Sequence, residues 1–127
     1  MLNITLWVLQ FLLALVFLAH GLVFLFPPAS LVEQMNGSIA PALRLFIGVA
    51  EVLAAVGLTI PGITRVQPGL VVAAAVGLMV VMLCATVFHS VRGEGTSALT
   101  TAVLLALLAV VAYMRWKVSP LLPRRVA

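Results

Sequence analysis

Charge is scarce in this 127-residue chain: charged residues make up 8% of it, aspartate is absent and the only acidic side chains are three glutamates. An ordinary soluble domain carries about 25% charged residues. Hydrophobic residues make up 65%, and a chain this short cannot bury so much apolar surface, because small domains leave much of their surface exposed. The composition excludes a soluble globular domain, and it excludes disorder, which requires low hydrophobicity and high charge.

Cysteine is nearly absent as well. The single Cys84 excludes an internal disulfide, a CxxC redox pair and a cysteine zinc site. No phosphate loop, nucleophile elbow or redox motif occurs, so we expect no enzymatic activity of the isolated chain. The net charge of +4 is typical of a membrane protein whose basic residues set topology and touch anionic headgroups, and it does not indicate a nucleic-acid partner.

Four apolar stretches are long enough to cross the hydrocarbon core, which takes about 20 helical residues. They cover about 2–26, 41–60, 69–91 and 98–116. The first lacks a basic n-region, so we expect a retained anchor and not a signal peptide. We predict an all-α fold, a four-helix transmembrane bundle forming one domain over 1–127, with antiparallel neighbours because the later loops are short.

Prolines and polar residues mark the expected ends of these helices. The proline pair at 27–28 ends the first helix, and Pro61 followed by glycine is expected to stop the second. Thr96 or Ser97 is expected to cap the fourth helix. The segment 30–35 in the longest loop is expected to form a short interfacial helix.

The basic residues are distributed unequally over the two ends of the predicted bundle. Five fall on the side of the termini and two on the opposite side, which places both termini in the cytoplasm. The five are Arg65, Arg115, Lys117, Arg124 and Arg125, and the two are Arg44 and Arg92. The second and third spans are rich in glycine and alanine, which allow close approach in lipid, so we expect these two helices to form the tight centre.

Glu51 is the one charged residue without a favourable location. It lies about ten residues into the second span, roughly 15 Å deep, where a carboxylate needs a cationic partner or water and is otherwise favoured in its neutral form. Two interpretations are open: a proton-exchanging or ligand-contacting group, or a carboxyl that fixes helix register. Arg44, two turns earlier on the same face, is expected to extend to the outer interface in preference to a buried pair with Glu51.

Two histidines and a threonine complete the polar residues of the outer half. His20 and His89 can hydrogen-bond a quinone or another polar ligand, but neutral imidazoles that bond across helices or touch water at the headgroups are the favoured interpretation. Thr86 shares a helix face with His89. The candidate site residues are therefore Glu51, His20, Arg44, His89 and Thr86.

Haem and metal are disfavoured as cofactors, and quinone stays a candidate ligand. Axial ligation of haem needs histidines at comparable depth, whereas the depths of His20 and His89 differ by about 6 Å, or roughly one helical turn. The two histidines and Glu51 do not have the spacing of a metal-ligand motif.

The stretch 43–61 resembles the second-helix signature of the DoxX and DoxX-like membrane proteins, an R…GxxE…G-L…P run. The stretch 73–89 is similar to their third-helix pattern, and 17–22 resembles the end of their first helix. Many members carry a lysine shortly after the first-helix glycine. Here the run is Gly21-Leu-Val-Phe-Leu-Phe26, so a Lys–Glu pair is absent, and His20 is the replacement that we expect.

The resemblance implies a four-helix integral membrane protein of a bacterial cytoplasmic membrane. It also implies membership of membrane redox or detoxification assemblies, since the family takes its name from a subunit associated with a quinone-linked oxidoreductase. Our first hypothesis is an accessory or scaffold subunit of such an assembly. The alternatives are a quinone or lipid binder whose cavity is lined by His20, Glu51, Arg44 and His89, and a membrane chaperone. The expected partners are the bilayer and a larger complex or a second copy.

Overall fold

The computed structural model describes residues 1–125, which are helical apart from short connections and the final segment, and which contain no strand. The last two residues of the predicted domain lie outside this range. The elements in chain order are α1 (Leu2–Leu25), α2 (Ala29–Ser38), α3 (Pro41–Thr64), α4 (Gly69–Val91) and α5 (Gly95–Tyr113), and a π-helical turn over Met114–Val118 continues α5.

Four of these helices are long and apolar enough to cross a membrane, which confirms the four predicted spans. They are α1, α3, α4 and the continuous stretch Gly95–Val118. The chain is therefore a multi-pass membrane protein. The bounds of α4 match the prediction, and α1 ends one residue early, before the proline pair.

The expected stop of α3 at Pro61 is wrong, because the helix continues to Thr64 and ends where Arg65 adopts a left-handed conformation at φ 57°. Proline is tolerated inside a membrane helix when neighbouring segments support the turn around it. Here Gly62 is buried so closely that a Cβ on it would lie 2.8 Å from Trp7 and 2.9 Å from Leu121. Packing against these two side chains holds the last turn in place.

The expected caps of the fourth span are also wrong. α5 begins at Gly95, so Thr96 and Ser97 lie inside the helix, and no side-chain hydrogen bond caps its start. The Glu94 carbonyl accepts the Ala98 N–H at 2.9 Å and closes the first turn. The predicted helix in the first loop is confirmed and runs over the whole of α2, which has no buried residue.

The helices pack as a ring in which α1 contacts α3, α3 contacts α4, α4 contacts α5, and α5 returns to α1. Large apolar side chains fill the centre: Leu13, Phe17, Leu58, Leu78, Leu108 and Val111. Many apolar side chains cover the outside, as expected where lipid is the solvent.

The expectation of a tight centre between the second and third spans is wrong. Gly57 of α3 does meet Ala74 of α4, but α1 with α3 and α4 with α5 share the more extensive contacts. The backbones of α1 and α3 touch where a Cβ on Gly21 would lie 2.9 Å from the Gly48 carbonyl oxygen. A single glycine on each helix is enough for such an approach. The number of small residues in a span therefore did not predict which helices pack most closely.

Candidate functional site

Two of the five predicted site residues pair where α1 and α3 touch, and we call His20 and Glu51 the Glu51 cluster. His20 Nδ1 lies 2.6 Å from Glu51 Oε2. The Glu51 side chain is 1% exposed, whereas that of His20 is 50% exposed. The His20 ring also packs on Phe24, with ring centroids 4.3 Å apart. The partner that we expected in place of the family's lysine is therefore present.

The contact between Gly21 and Gly48 positions this pair. His20 precedes Gly21, and Glu51 follows Gly48 by about one helical turn. A Cβ on Gly21 would lie 3.1 Å from the Glu51 Cβ, and a Cβ on Gly48 would lie 3.0 Å from the Gly21 carbonyl oxygen. Side chains at these two positions would push the helices apart, so the glycines are what bring the imidazole to the carboxyl.

Arg44 neither extends to an exposed interface nor pairs with Glu51, so the expected extension is wrong. The residue is buried at 8% exposure, and its Nη1 donates a hydrogen bond to the Phe24 carbonyl. That carbonyl belongs to the last turn of α1, whose carbonyls lack helical donors. Its ordinary partner would be the N–H of residue 28, which is a proline and has none. Arg44 therefore caps α1 at a position that Pro28 leaves open.

The hydrogen bond of the Glu51 cluster can form in two ways. If the carboxyl is ionised, the His20 N–H donates to it, and if it is protonated, its O–H donates to the ring nitrogen. Within residues 1–125, Glu51 Oε1 and Arg44 Nε are buried without a hydrogen-bond partner. Because Nδ1 faces Glu51, Nε2 is the nitrogen that the half-exposed ring can offer to a proton or ligand from outside.

His89 belongs to a different group, the Glu94 cluster of His89, Arg92 and Glu94 in the turn between α4 and α5. His89 Nδ1 lies 2.5 Å from Glu94 Oε2, and Arg92 Nε donates to Glu94 Oε1 at 2.9 Å. The hydrogen bond from His89, followed by that from Arg92, lowers the pKa of Glu94 below its ordinary value. The predicted lining of one cavity is thus divided, because His89 bonds outside the Glu51 cluster.

Thr86 links α4 to α5. Its Oγ1 donates to the Met82 carbonyl at 2.7 Å and lies 2.9 Å from Thr101 Oγ1. A hydroxyl that bonds to its own helix and to a facing hydroxyl joins two helices in lipid. Within the described range, Thr86 therefore helps to pack α4 against α5.

Sequence reasoning missed a second polar group inside the spans, which we call the Arg115 cluster: Asn3, Gln10 and Arg115. Arg115 is 3% exposed, its Nε donates to Gln10 Oε1 at 2.5 Å, and its Nη1 donates to Asn3 Oδ1 at 2.6 Å. Gln10 Nε2 donates in turn to the Leu58 carbonyl at 2.8 Å. The cluster therefore joins α1, α3 and the π-helical turn.

A signal for the Arg115 cluster was present in the sequence. Asn3 and Gln10 are seven residues apart, so they share a helix face with each other and with Leu13. Polar side chains on a core face need partners in lipid, and Arg115 is the basic residue at the end of the last span. Counting Arg115 only as a surface charge that sets topology concealed this role.

No group of three or more His, Cys, Asp or Glu side chains that could hold a metal ion occurs in residues 1–125. The fold is that of an α-helical multi-pass membrane protein. Two polar clusters lie between its helices, the acidic Glu51 cluster and the basic Arg115 cluster.

A family model described as the DoxX-like family matches residues 8–111. The chain belongs to the DoxX-like family, as the resemblance predicted. The matched range contains all five predicted site residues, while Asn3 and Arg115 lie outside it. No curated protein and no solved structure matches the chain.

Proposed function

We propose that this protein is a non-catalytic accessory or scaffold subunit of a larger, quinone-linked membrane assembly. The observation that carries the proposal is the enclosure of Glu51, which is buried at 1% exposure against His20 in a glycine-mediated helix contact. A carboxyl held in this way supports helix register and offers little access to a substrate. Membership of the DoxX-like family supports the assembly role.

The arrangement in the membrane is part of the same proposal: consecutive spans alternate in direction, and both termini face the cytoplasm of a bacterium from its inner membrane. The bond between Asn3, at the start of α1, and Arg115, at the end of the last helix, supports a shared side for the termini. Arg65, Lys117 and Arg124 on that side support the cytoplasmic orientation.

Extraction of the tagged protein in mild detergent, followed by native mass spectrometry, tests the scaffold role. We expect one larger membrane partner at fixed stoichiometry, together with turnover of added menaquinone or ubiquinone by the recovered assembly. Glu51→Gln should retain the partner, because an amide can still bond His20. Gly48→Ala should lose it, because α1 and α3 separate, and Gly77→Ala is the matched control, since nothing lies within 4 Å of a Cβ there.

Two results would contradict this proposal separately. A clean monomer or homodimer in repeated preparations would remove the assembly. A constant partner without quinone turnover would remove the quinone link and leave the scaffold.

A second candidate function is the binding of a quinone or lipid headgroup at the Glu51 cluster. It is favoured by the half-exposed His20 ring and by the unpartnered Glu51 Oε1 in the described range. Added menaquinone should then raise the unfolding temperature of the wild type more than that of His20→Gln, with His89→Gln as control. Equal shifts in all three proteins would exclude the site.

The chaperone hypothesis depends on small residues of the second and third spans that were expected to contact client helices. Gly57 meets Ala74 and Gly48 meets Gly21, so these contacts lie within the chain, whereas nothing lies within 4 Å of a Cβ on Gly77. Photo-cross-linking from Leu53, an exposed position on α3, would support the hypothesis if it repeatedly captured one foreign helix.

A further inference from the structure

Arg115 is a buried cation to which this chain offers no acidic side chain. The sequence has three acidic residues. Glu51 bonds His20, Glu94 bonds His89 and Arg92, and Glu33 lies in the exposed helix α2. A buried charge is normally compensated by an opposite charge, because removing it from water is costly. Among the described residues, the Arg115 guanidinium faces the Trp7 ring, with Cζ 5.2 Å from the ring centroid, and forms no salt bridge.

Within residues 1–125, the hydrogen-bond acceptors of Arg115 are all uncharged, and one of its three nitrogens has no acceptor. Its protein acceptors are the side-chain oxygens of Gln10 and Asn3 and the Ser119 carbonyl at 3.2 Å. Its Nη2 is buried and has no partner among the described residues. The planar fork of a guanidinium matches the oxygens of a phosphate or carboxylate, so an anion is the ligand that would complete it.

Arg115 is one of the residues that line a groove in the surface of the bundle. The groove has a volume of about 200 Å³ and is otherwise lined mainly by apolar side chains. The lining residues are Pro68, Gly69, Val72, Arg115, Trp116, Pro120 and Leu121. Tryptophan is enriched where membrane helices reach the headgroups. An apolar groove with an arginine in its lining suits an amphiphile with an anionic head better than a free anion.

Further basic residues adjoin the lining of the groove in the chain or in space. The Lys117 Nζ lies 4.1 Å above the Trp116 ring centroid. The Arg124 N–H donates to the Arg65 carbonyl at 3.0 Å, which brings the final segment and the turn after α3 together. Lys and Arg side chains near a membrane surface attract anionic lipid. The local charge therefore favours an anionic headgroup over a zwitterionic one.

We propose that the groove beside Arg115 binds the phosphate of an anionic phospholipid. The guanidinium contacts the phosphate oxygens, Lys117 adds charge at the rim, and the glycerol and upper acyl chain lie against Trp116, Val72 and Leu121. This site is independent of the Glu51 cluster and of the proposed scaffold role.

Native mass spectrometry of the delipidated full chain tests the site, with dioleoylphosphatidylglycerol as the probe and dioleoylphosphatidylcholine and inorganic phosphate as comparisons. We expect a one-to-one phosphatidylglycerol adduct and a raised unfolding temperature, and neither effect with the two comparison compounds. Arg115→Gln should weaken the adduct at least about tenfold. Arg115→Lys should give an intermediate loss, because it keeps the charge without the fork.

Two further variants separate the site from folding and from overall charge. Val72→Phe narrows the groove and leaves Arg115, Gln10 and Asn3 in place, so it should lower adduct formation as Arg115→Gln does. Arg92→Gln removes one positive charge from the α4–α5 turn and should leave the adduct unchanged.

Three results would overturn the proposal. One is equal phosphatidylglycerol binding by the wild type and Val72→Phe. Another is an equal loss in Arg92→Gln. A third is stabilisation by inorganic phosphate that matches the lipid, because the site would then bind a free anion.

Discussion

The Glu51 cluster and the Arg115 cluster use opposite means to place a charged group inside the bundle. The Glu51 cluster joins two neighbouring helices through a glycine contact, and its imidazole and carboxyl can share a proton. The Arg115 cluster joins three segments, its side chains are up to 112 positions apart in the chain, and its guanidinium stays charged at any relevant pH. The Glu51 cluster pairs an acid with an imidazole, whereas the Arg115 cluster surrounds a cation with uncharged acceptors and closes the ring of helices.

The largest effect is expected from Gln10→Ala, because Gln10 serves both Arg115 and the Leu58 carbonyl. Its removal leaves the buried Nε of Arg115 without an acceptor and takes a side-chain hydrogen bond from the Leu58 carbonyl, and an unsatisfied buried polar group costs about 1–3 kcal/mol. We expect a loss of about 3 kcal/mol in unfolding free energy, measured by denaturant titration in detergent micelles. Gln34→Ala, at an exposed position of α2, is the control, and equal stability of the two variants would show that the cluster does not close the bundle.

Gly48→Ala should have the second largest effect on stability, because it disrupts the glycine contact that positions the Glu51 cluster. The added Cβ would lie 3.0 Å from both the Gly21 carbonyl oxygen and Leu25, and such overpacking costs about 1–3 kcal/mol. Double electron–electron resonance between labels on α1 and α3 should report a wider separation. Gly77→Ala has open space around it and should keep both the stability and the distance of the wild type.

Glu51→Gln should have a smaller effect on stability, about 1 kcal/mol, because the amide can still hydrogen-bond His20. The measurement that distinguishes this variant is nuclear magnetic resonance of the His20 ring: the ring loses its carboxyl partner, so its ¹⁵N resonances should shift. Arg115→Lys should leave those resonances unchanged. If it shifted them as strongly, the two clusters would be coupled and the contrast between them would disappear.

The smallest effect is expected from the Glu94 cluster in the α4–α5 turn. It contains a carboxyl bonded to an imidazole, as the Glu51 cluster does, and an arginine, as the Arg115 cluster does. Its bonds to His89 and Arg92 lower the pKa of Glu94 from 4.5. A lowered folded pKa stabilises the fold above pH 4.5, and this contribution is lost as the pH falls through the folded value. Thermal unfolding between pH 7 and pH 3 should therefore show a steeper acid loss in the wild type than in Glu94→Gln, and parallel curves would contradict the assignment.

The main features of the fold were predictable from residue patterns, and the reasons are local. Apolar runs of the right length predicted four spans, and the proline pair at 27–28 marked the end of α1. Pro61 was misread because its effect depends on Gly62 packing against Trp7 and Leu121, a contact between distant segments. The start of α5 was misplaced because Glu94 bonds His89 and Arg92, which the cap preferences do not include.

The candidate site was also predictable only in part. The low charge content identified Glu51, and the absent lysine of the family pattern identified His20 as its partner, since both arguments depend on residue type and spacing. The separation of His89 from that pair, the capping role of Arg44 and the burial of Arg115 required the packed structure. Histidine and arginine side chains can hydrogen-bond to several kinds of partner. Only the relative placement of the helices decides which partner lies within reach.

By itself, the sequence determined that this protein has lipid as its solvent, four spans and one acid that needs a partner, because these follow from composition and local hydrophobicity. Only the tertiary structure decided which helices touch and where the charges lie. A glycine contact between α1 and α3 placed His20 against Glu51, and closure of the ring of helices buried Arg115 between Asn3 and Gln10. The hydrocarbon core holds no water to satisfy polar groups, so which partner each of these side chains has depends on how distant segments pack.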